Sequence, residues 1–247
     1  GAAVGCFLTG FFLIATFGVL QTVLIAGLLN LFIGVSAIRI YQESAEYDQN
    51  IRLPHFTRPS FEWGEKQKVW IVISFVCGFT ALAYEVLWTR LLVFSISSTV
   101  YSLSMMLGVF LLGIMLGSWL VVTVFRSSLN LRAVLICLQA SIGFYVIVSL
   151  YNMDKLLSSP WNGYNLQNPI ATFGQYFLDA SALMFFPTIA LGMSFPILIK
   201  MISGSHQNIG KGTGLIYGAN TFGAILGSLS AGFFLLPRLG AQQSLLL

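Results

Sequence analysis

Charge is what this sequence has least of. Only 8% of its 247 residues are Asp, Glu, Lys or Arg, while 57% are hydrophobic. A soluble domain carries about 25% charged residues, because its surface must meet water. The charge left here does not suffice to wet a globule of this size, so the apolar surface must face lipid. The net charge is +4, but the basic residues are scattered at the ends of apolar runs. A nucleic-acid partner needs a clustered patch and is excluded on that ground.

Cysteine is equally sparse. Cys6, Cys77 and Cys137 all lie inside apolar runs and none has C-x-x-C spacing, so neither a disulfide framework nor a zinc site is implied. They read as small core hydrophobes. The two histidines, His55 and His206, fall outside the apolar runs. That excludes haem or chlorophyll ligated by intramembrane histidine. No phosphate-binding G-x-x-x-x-G-K-[ST], no H-E-x-x-H and no G-x-S-x-G occurs. The glycine-rich Gly210-Lys211-Gly212-Thr213-Gly214 follows no strand and reads as a flexible loop opening a helix. No cofactor and no metal is expected.

What is present is a succession of apolar runs long enough to cross a bilayer, which takes about 17 to 25 residues. They fall at 1–15, 19–40, 69–95, 100–125, 130–151, 171–201 and 212–237, with another beginning near 241. The expected fold is therefore an all-α transmembrane bundle of about seven spans. Pro187 and Pro196 should kink the 171–201 run, or divide it into a span and a re-entrant piece. Because the chain opens at Gly1 inside one run and closes as another begins, it is expected to be a segment of a longer protein.

Alternate loops sort the charge. One side collects Arg39, Arg52, Arg58, Lys66, Lys68, Arg126, Arg132, Lys200 and Lys211; the other has Arg90, Lys155 and Arg238. Positive charge stays inside, which makes 41–68, 126–131 and 202–211 cytoplasmic and suits a bacterial inner membrane. Trp161 and Tyr164 then belong to the outer interface. The mixed-charge 41–68 stretch reads as a solvated linker between a first membrane segment, 1–40, and a second, 69–247.

Residues 1–25 align without a gap on 223–247. Ten positions are identical: Gly1, Ala2, Gly5, Gly10, Phe11, Phe12, Leu13, Gly18, Gln21 and Leu24 recur 222 residues later. The offset spans six helices, an even number, so the two copies should cross the membrane in the same sense. Parallel six-helix repeats are the plan of the major facilitator architecture. Small residues one turn apart, Gly1/Gly5, Gly113/Gly117 and Gly223/Gly227, should mark close helix packing.

Charges at membrane depth are costly and tend to pair or to line a polar path. Glu85 lies 17 residues beyond Lys68, about 25 Å along a helix, and Asp179 lies ten beyond Pro169, about 15 Å. The two acids can share one level. Tyr84, Glu85, Arg90 and Asp179 are thus expected to form a polar cluster that binds a cation or relays protons. The plainer reading is that Glu85 and Arg90 neutralise each other near the interface.

Two stretches resemble the fused MFS/spermidine synthase family, in which a polytopic membrane region precedes an aminopropyltransferase-like domain. The first is Gly78-Phe79-Thr80-Ala81-Leu82-Ala83-Tyr84-Glu85-Val86-Leu87-Trp88-Thr89-Arg90, followed by the run ending Leu116-Gly117-Ser118. The second runs from Leu191-Gly192-Met193-Ser194-Phe195-Pro196 through Tyr217-Gly218-Ala219-Asn220-Thr221 to Leu236-Pro237-Arg238-Leu239-Gly240. The synthase domain's nucleotide loop and acids have no counterpart in this chain, so no enzymatic activity is implied. The resemblance suggests a polyamine-like cationic substrate. Three functions follow: a transporter-like membrane domain for a small cation, an accessory subunit among other membrane subunits of a larger complex, or a membrane anchor for a synthase-like domain.

Overall fold

The structure, a computed structural model, describes residues 1–47, 65–96, 99–124, 130–152, 169–202 and 209–246. The charges assigned to 48–64, and those at Arg126, Lys155 and His206, lie outside the described residues, as do Trp161 and Tyr164.

All described elements are helical, with no strand among the described residues. They are α1 (Ala2–Leu8), α2 (Ile14–Tyr47), α3 (Glu65–Ile96), α4 (Val100–Val124), α5 (Leu131–Tyr151), α6 (Pro169–Ala180), α7 (Phe186–Ile202), α8 (Ile209–Leu229) and α9 (Leu236–Leu245). Three π-helical turns join neighbours end to end: Thr9–Leu13, Ser181–Phe185 and Ser230–Leu235. Six of the resulting stretches are long and apolar enough to cross a membrane. The chain is a helical integral membrane protein. The expected count was about seven, and the difference lies in the first stretch, Ala2–Gln42, which is broken at Gly18 (φ 76°, ψ 171°). Within the stretch read as a linker, 41–68, α2 runs on to Tyr47 and α3 begins at Glu65; the remainder lies outside the described residues.

The run around Pro187 and Pro196 is one continuous helical stretch rather than a span plus a re-entrant piece. A helical proline lacks an N–H and its ring presses on the carbonyl four residues back. For Pro187 that residue is Leu183, inside the widened turn Ser181–Phe185, which gives the ring its room.

Two compact units are present. Leu8–Trp63 forms one; Gly1–Phe7 with Gly64–Leu247 forms the other. Within the smaller unit the Thr22 hydroxyl donates to the Gly18 carbonyl at 2.7 Å, closing the first turn after the break. Its large apolar side chains, Leu20, Leu28, Leu31 and Phe32 among them, are exposed.

The larger unit is built on glycine contacts. Gly78 of α3 abuts the Asn220 backbone of α8, while Gly223 and Gly227 of α8 abut the backbone at Phe75 and Phe79. The Ser74 hydroxyl donates to Ile216 O at 2.9 Å on the same seam. Residue numbers rise together on both helices, so α3 and α8 run parallel. Gly113 meets Thr188, Gly117 meets Gly192 and Ile189, and Ser118 donates to Gly192 O at 3.0 Å; α4 and α7 are parallel too. In α5, Gln139 donates to Ser194 and Tyr145 to the Ala182 carbonyl, which makes α5 antiparallel to α7. Gln139 also donates to Cys77, and the Arg132 guanidinium lies over the Trp70 ring, so α5 runs with α3.

Successive spans of this unit therefore alternate in direction. Within this unit the first span pairs with the fifth and the second with the fourth. Exchanging α3 with α7 and α4 with α8 converts one pair into the other, which is the relation an inverted three-helix repeat produces. Between the helices lie two apolar cores, one around Trp88, Leu92, Met106 and Met184, the other around Ile197, Leu198 and Ile216.

Candidate functional site

Four residues of α3, Cys77, Ala81, Glu85 and Thr89, follow one another at four-residue spacing and so share a helix face. On α4, Leu103, Leu107, Phe110, Ile114 and Ser118 do the same at spacings of three and four. The two helices point in opposite directions, so Thr89 meets the Leu103 end and Cys77 the Ser118 end. Two cavities open along these facing stripes. One, of about 180 Å³, is lined by Glu85, Thr89, Leu103, Met106, Leu107, Phe110 and Met184. The other, of about 240 Å³, takes in Cys77, Ala81, Ser118, Ser194, Tyr217 and Asn220 and again Phe110. Phe110 is 4% exposed and forms a wall of both. From Cys77 to Thr89 the groove measures about 18 Å at 1.5 Å per residue, over half of a hydrocarbon core of about 30 Å.

Of the four residues expected to cluster, Glu85 alone lines either cavity. It makes no hydrogen bond or ion pair among the described residues. Tyr84 turns to the Trp88 ring and stacks on it, with centroids 5.2 Å apart and 18° between planes. Arg90 is exposed and forms no ion pair with Glu85 among the described residues. The helix explains this: residues five apart lie about 140° apart around the axis, whereas partners need spacing three or four. Asp179 is buried, 7% exposed, and accepts a hydrogen bond at 2.9 Å from Gln175, one turn earlier on its own helix.

The glycines also divide. Gly113, Gly117, Gly223 and Gly227 sit where a Cβ would strike a neighbouring helix; Gly1 and Gly5 have nothing within 4 Å of that position.

The sequence reading passed over the neutral polar lining. Gln139 donates at 3.0 Å to Ser194, which itself donates to Ala190 O, and the Tyr217 ring meets Phe195 edge-on. The signal for this lining in the sequence is the set of polar residues embedded in the resemblance motifs: Ser118, Ser194, Tyr217 and Asn220.

Compared with family models, curated proteins and solved structures, the chain matches none. The resemblance to the fused family therefore stands on its motif residues alone.

Proposed function

We propose that this chain is a non-catalytic, transporter-like membrane domain that binds and moves a small organic cation, with Glu85 as the cation's counter-charge. One observation carries the reading. Glu85 is an intramembrane carboxylate that lines a cavity and has no cationic partner among the described residues. An acid kept at membrane depth without a partner is held there at a cost, and lining a substrate or ion pathway is the usual reason. The first–fifth and second–fourth pairing supports a major facilitator-like half bundle, and the repeat of 1–25 at 223–247 supports a second half of the same kind. On the loop-charge pattern, the Glu65 end of α3 is cytoplasmic and the membrane is a bacterial inner one. The motifs at Tyr84–Arg90 and Tyr217–Thr221 favour kinship with the membrane region of the fused synthases, and with it an amine as cargo.

The test is uptake of labelled alkylamines into proteoliposomes by the purified chain and by Glu85→Gln. A charge-assisted contact contributes about 1.5–3 kcal/mol, so the variant should take up amine at least about tenfold more slowly at equal folded protein. Equal uptake would remove Glu85 from the site and the proposal with it.

A second reading, an accessory subunit packed into a larger membrane assembly, rests on Gly1, Gly5, Gly214 and Gly218. These small residues at one-turn spacing have nothing within 4 Å of a built Cβ, and such faces admit a partner helix closely. A stoichiometric partner retained through gentle detergent purification, together with absent uptake, would favour it.

A further inference from the structure

The two cavities differ in chemistry, and that difference bears on the cargo. Around Glu85 the lining is one carboxylate, one hydroxyl and apolar side chains. The second cavity has no Asp, Glu, Lys, Arg or His in its lining among the described residues; its polar groups are neutral hydroxyls, a thiol and an amide. Ser118 and Ser194 spend their hydroxyl protons on the Gly192 and Ala190 carbonyls. The Asn220 side-chain amide has no partner among the described residues and is left to a ligand. Since Gly78 abuts Asn220 and Glu85 lies seven residues further along α3, the acid and the amide stand about 10 Å apart along the groove.

We infer that the groove takes a singly charged alkylamine with an uncharged, hydrogen-bonding tail, its ammonium on Glu85, its tail on Asn220 and its alkyl chain passing Phe110. This rests on the reading of Glu85 as the cation site and narrows the class of cation. A diamine or polyamine of that length would place a second ammonium in the Asn220 cavity with no counter-charge, and a desolvated unpaired ion is strongly disfavoured. An amino acid fails for the mirror reason, since no Lys, Arg or His lines that cavity among the described residues to meet a carboxylate. Asp179 supplies no second anion, because it lines neither cavity and is engaged by Gln175. An amide or hydroxyl tail suits Asn220, whose side chain offers both donor and acceptor.

The experiment measures binding of N-acetylputrescine, putrescine, spermidine and butylamine to the purified full chain by calorimetry, with Glu85→Gln, Asn220→Leu and Asn220→Asp alongside. N-acetylputrescine should bind at least about tenfold more tightly than putrescine, an uncompensated charge being the penalty. Asn220→Leu should reduce the advantage of N-acetylputrescine over butylamine by about fivefold, as for a neutral hydrogen bond, and leave butylamine unchanged. If that variant does not fold, Asn220→Asp decides: it should invert the order and prefer putrescine. Putrescine or spermidine binding more tightly to the unaltered chain, in a Glu85-dependent way, would overturn the neutral-tail inference while leaving the Glu85 site standing. Amine binding that survives Glu85→Gln undiminished, or no amine binding at all, would overturn the underlying site.

Discussion

Gly18 and Gly240 adopt the same backbone conformation, φ 76°, ψ 171° and φ 73°, ψ 172°. They are the two positive-φ glycines among the described residues and correspond to one another in the sequence repeat. The likeness extends to both sides. Before each break the chain makes a π-turn closed by an equivalent bond, Ile14 N–H to Thr9 O and Leu236 N–H to Ala231 O. After it, Thr22 and Ser244 donate to the carbonyls of Gly18 and Gly240 at 2.7 and 2.5 Å. The repeat is thus a local three-dimensional module as well as a similarity of letters.

That conformation belongs to the region open essentially to glycine alone, with a cost of about 1–3 kcal/mol for another residue. Gly18→Ala and Gly240→Ala should each lower thermal stability in detergent by that order, although a Cβ would meet nothing at either position. Gly214→Ala, in open space on a helix of ordinary geometry, serves as control and should be neutral or slightly stabilising, since alanine favours helix by about 1 kcal/mol. Three indistinguishable melting curves would refute the strain argument.

The parallel seams predict a second contrast. A Cβ at Gly227 would meet the Phe79 backbone, and one at Gly117 would meet Ile189 and Gly192. Backbone cannot rotate aside as a side chain can, so Gly227→Ala and Gly117→Ala should each cost about 1–3 kcal/mol by overpacking. Gly5→Ala, its Gly227 counterpart in the repeat, should cost little. Size-exclusion profiles after graded heating would rank the three.

Neutralising Glu85 should stabilise the protein even as it slows uptake. An acid at membrane depth carries a penalty of about 2.5–3.5 kcal/mol at a helix centre, and glutamine keeps the shape while removing the charge. Glu85→Gln should therefore melt higher than the parent, the usual trade between stability and a functional group held in an unfavourable place. A lower melting point would mean that Glu85 is a structural partner of something in the bundle.

The Gln139–Ser194 hydrogen bond, 3.0 Å long, ties α5 to α7. Interhelical bonds of this kind within membranes contribute about 0.6 kcal/mol on average and at most about 1.7. A double-mutant cycle with Gln139→Leu and Ser194→Ala should give a coupling energy in that range. A coupling near zero would place the contribution of these residues in packing rather than in the bond between them.

Much of the fold was legible because its determinants are local. Apolar length located the spans, and the gaps that the sequence left after 15 and after 237 surround the glycine breaks at 18 and 240. Small-residue spacing found the seams at Gly113, Gly117, Gly223 and Gly227. The site was harder to read because it is assembled from stripes on separate helices. Arg90 was placed beside Glu85 on nearness along the chain, which the helix turns into opposite faces. Asn220 and Ser118 drew no attention as neutral residues, and their role emerges only when α4, α7 and α8 close around α3.

The wide turn at Ser230–Leu235 carries one residue more than an α-helical turn requires. Removing it would restore 3.6-residue winding and rotate everything beyond by about 100°. The break at Gly240 would swing with it, and Leu245, now 3% exposed in the same core as Trp88 and Leu91, would be carried off that surface. The surplus residue acts as a phase setting, fixing which side of the helical segment beyond the break meets protein and which meets oil.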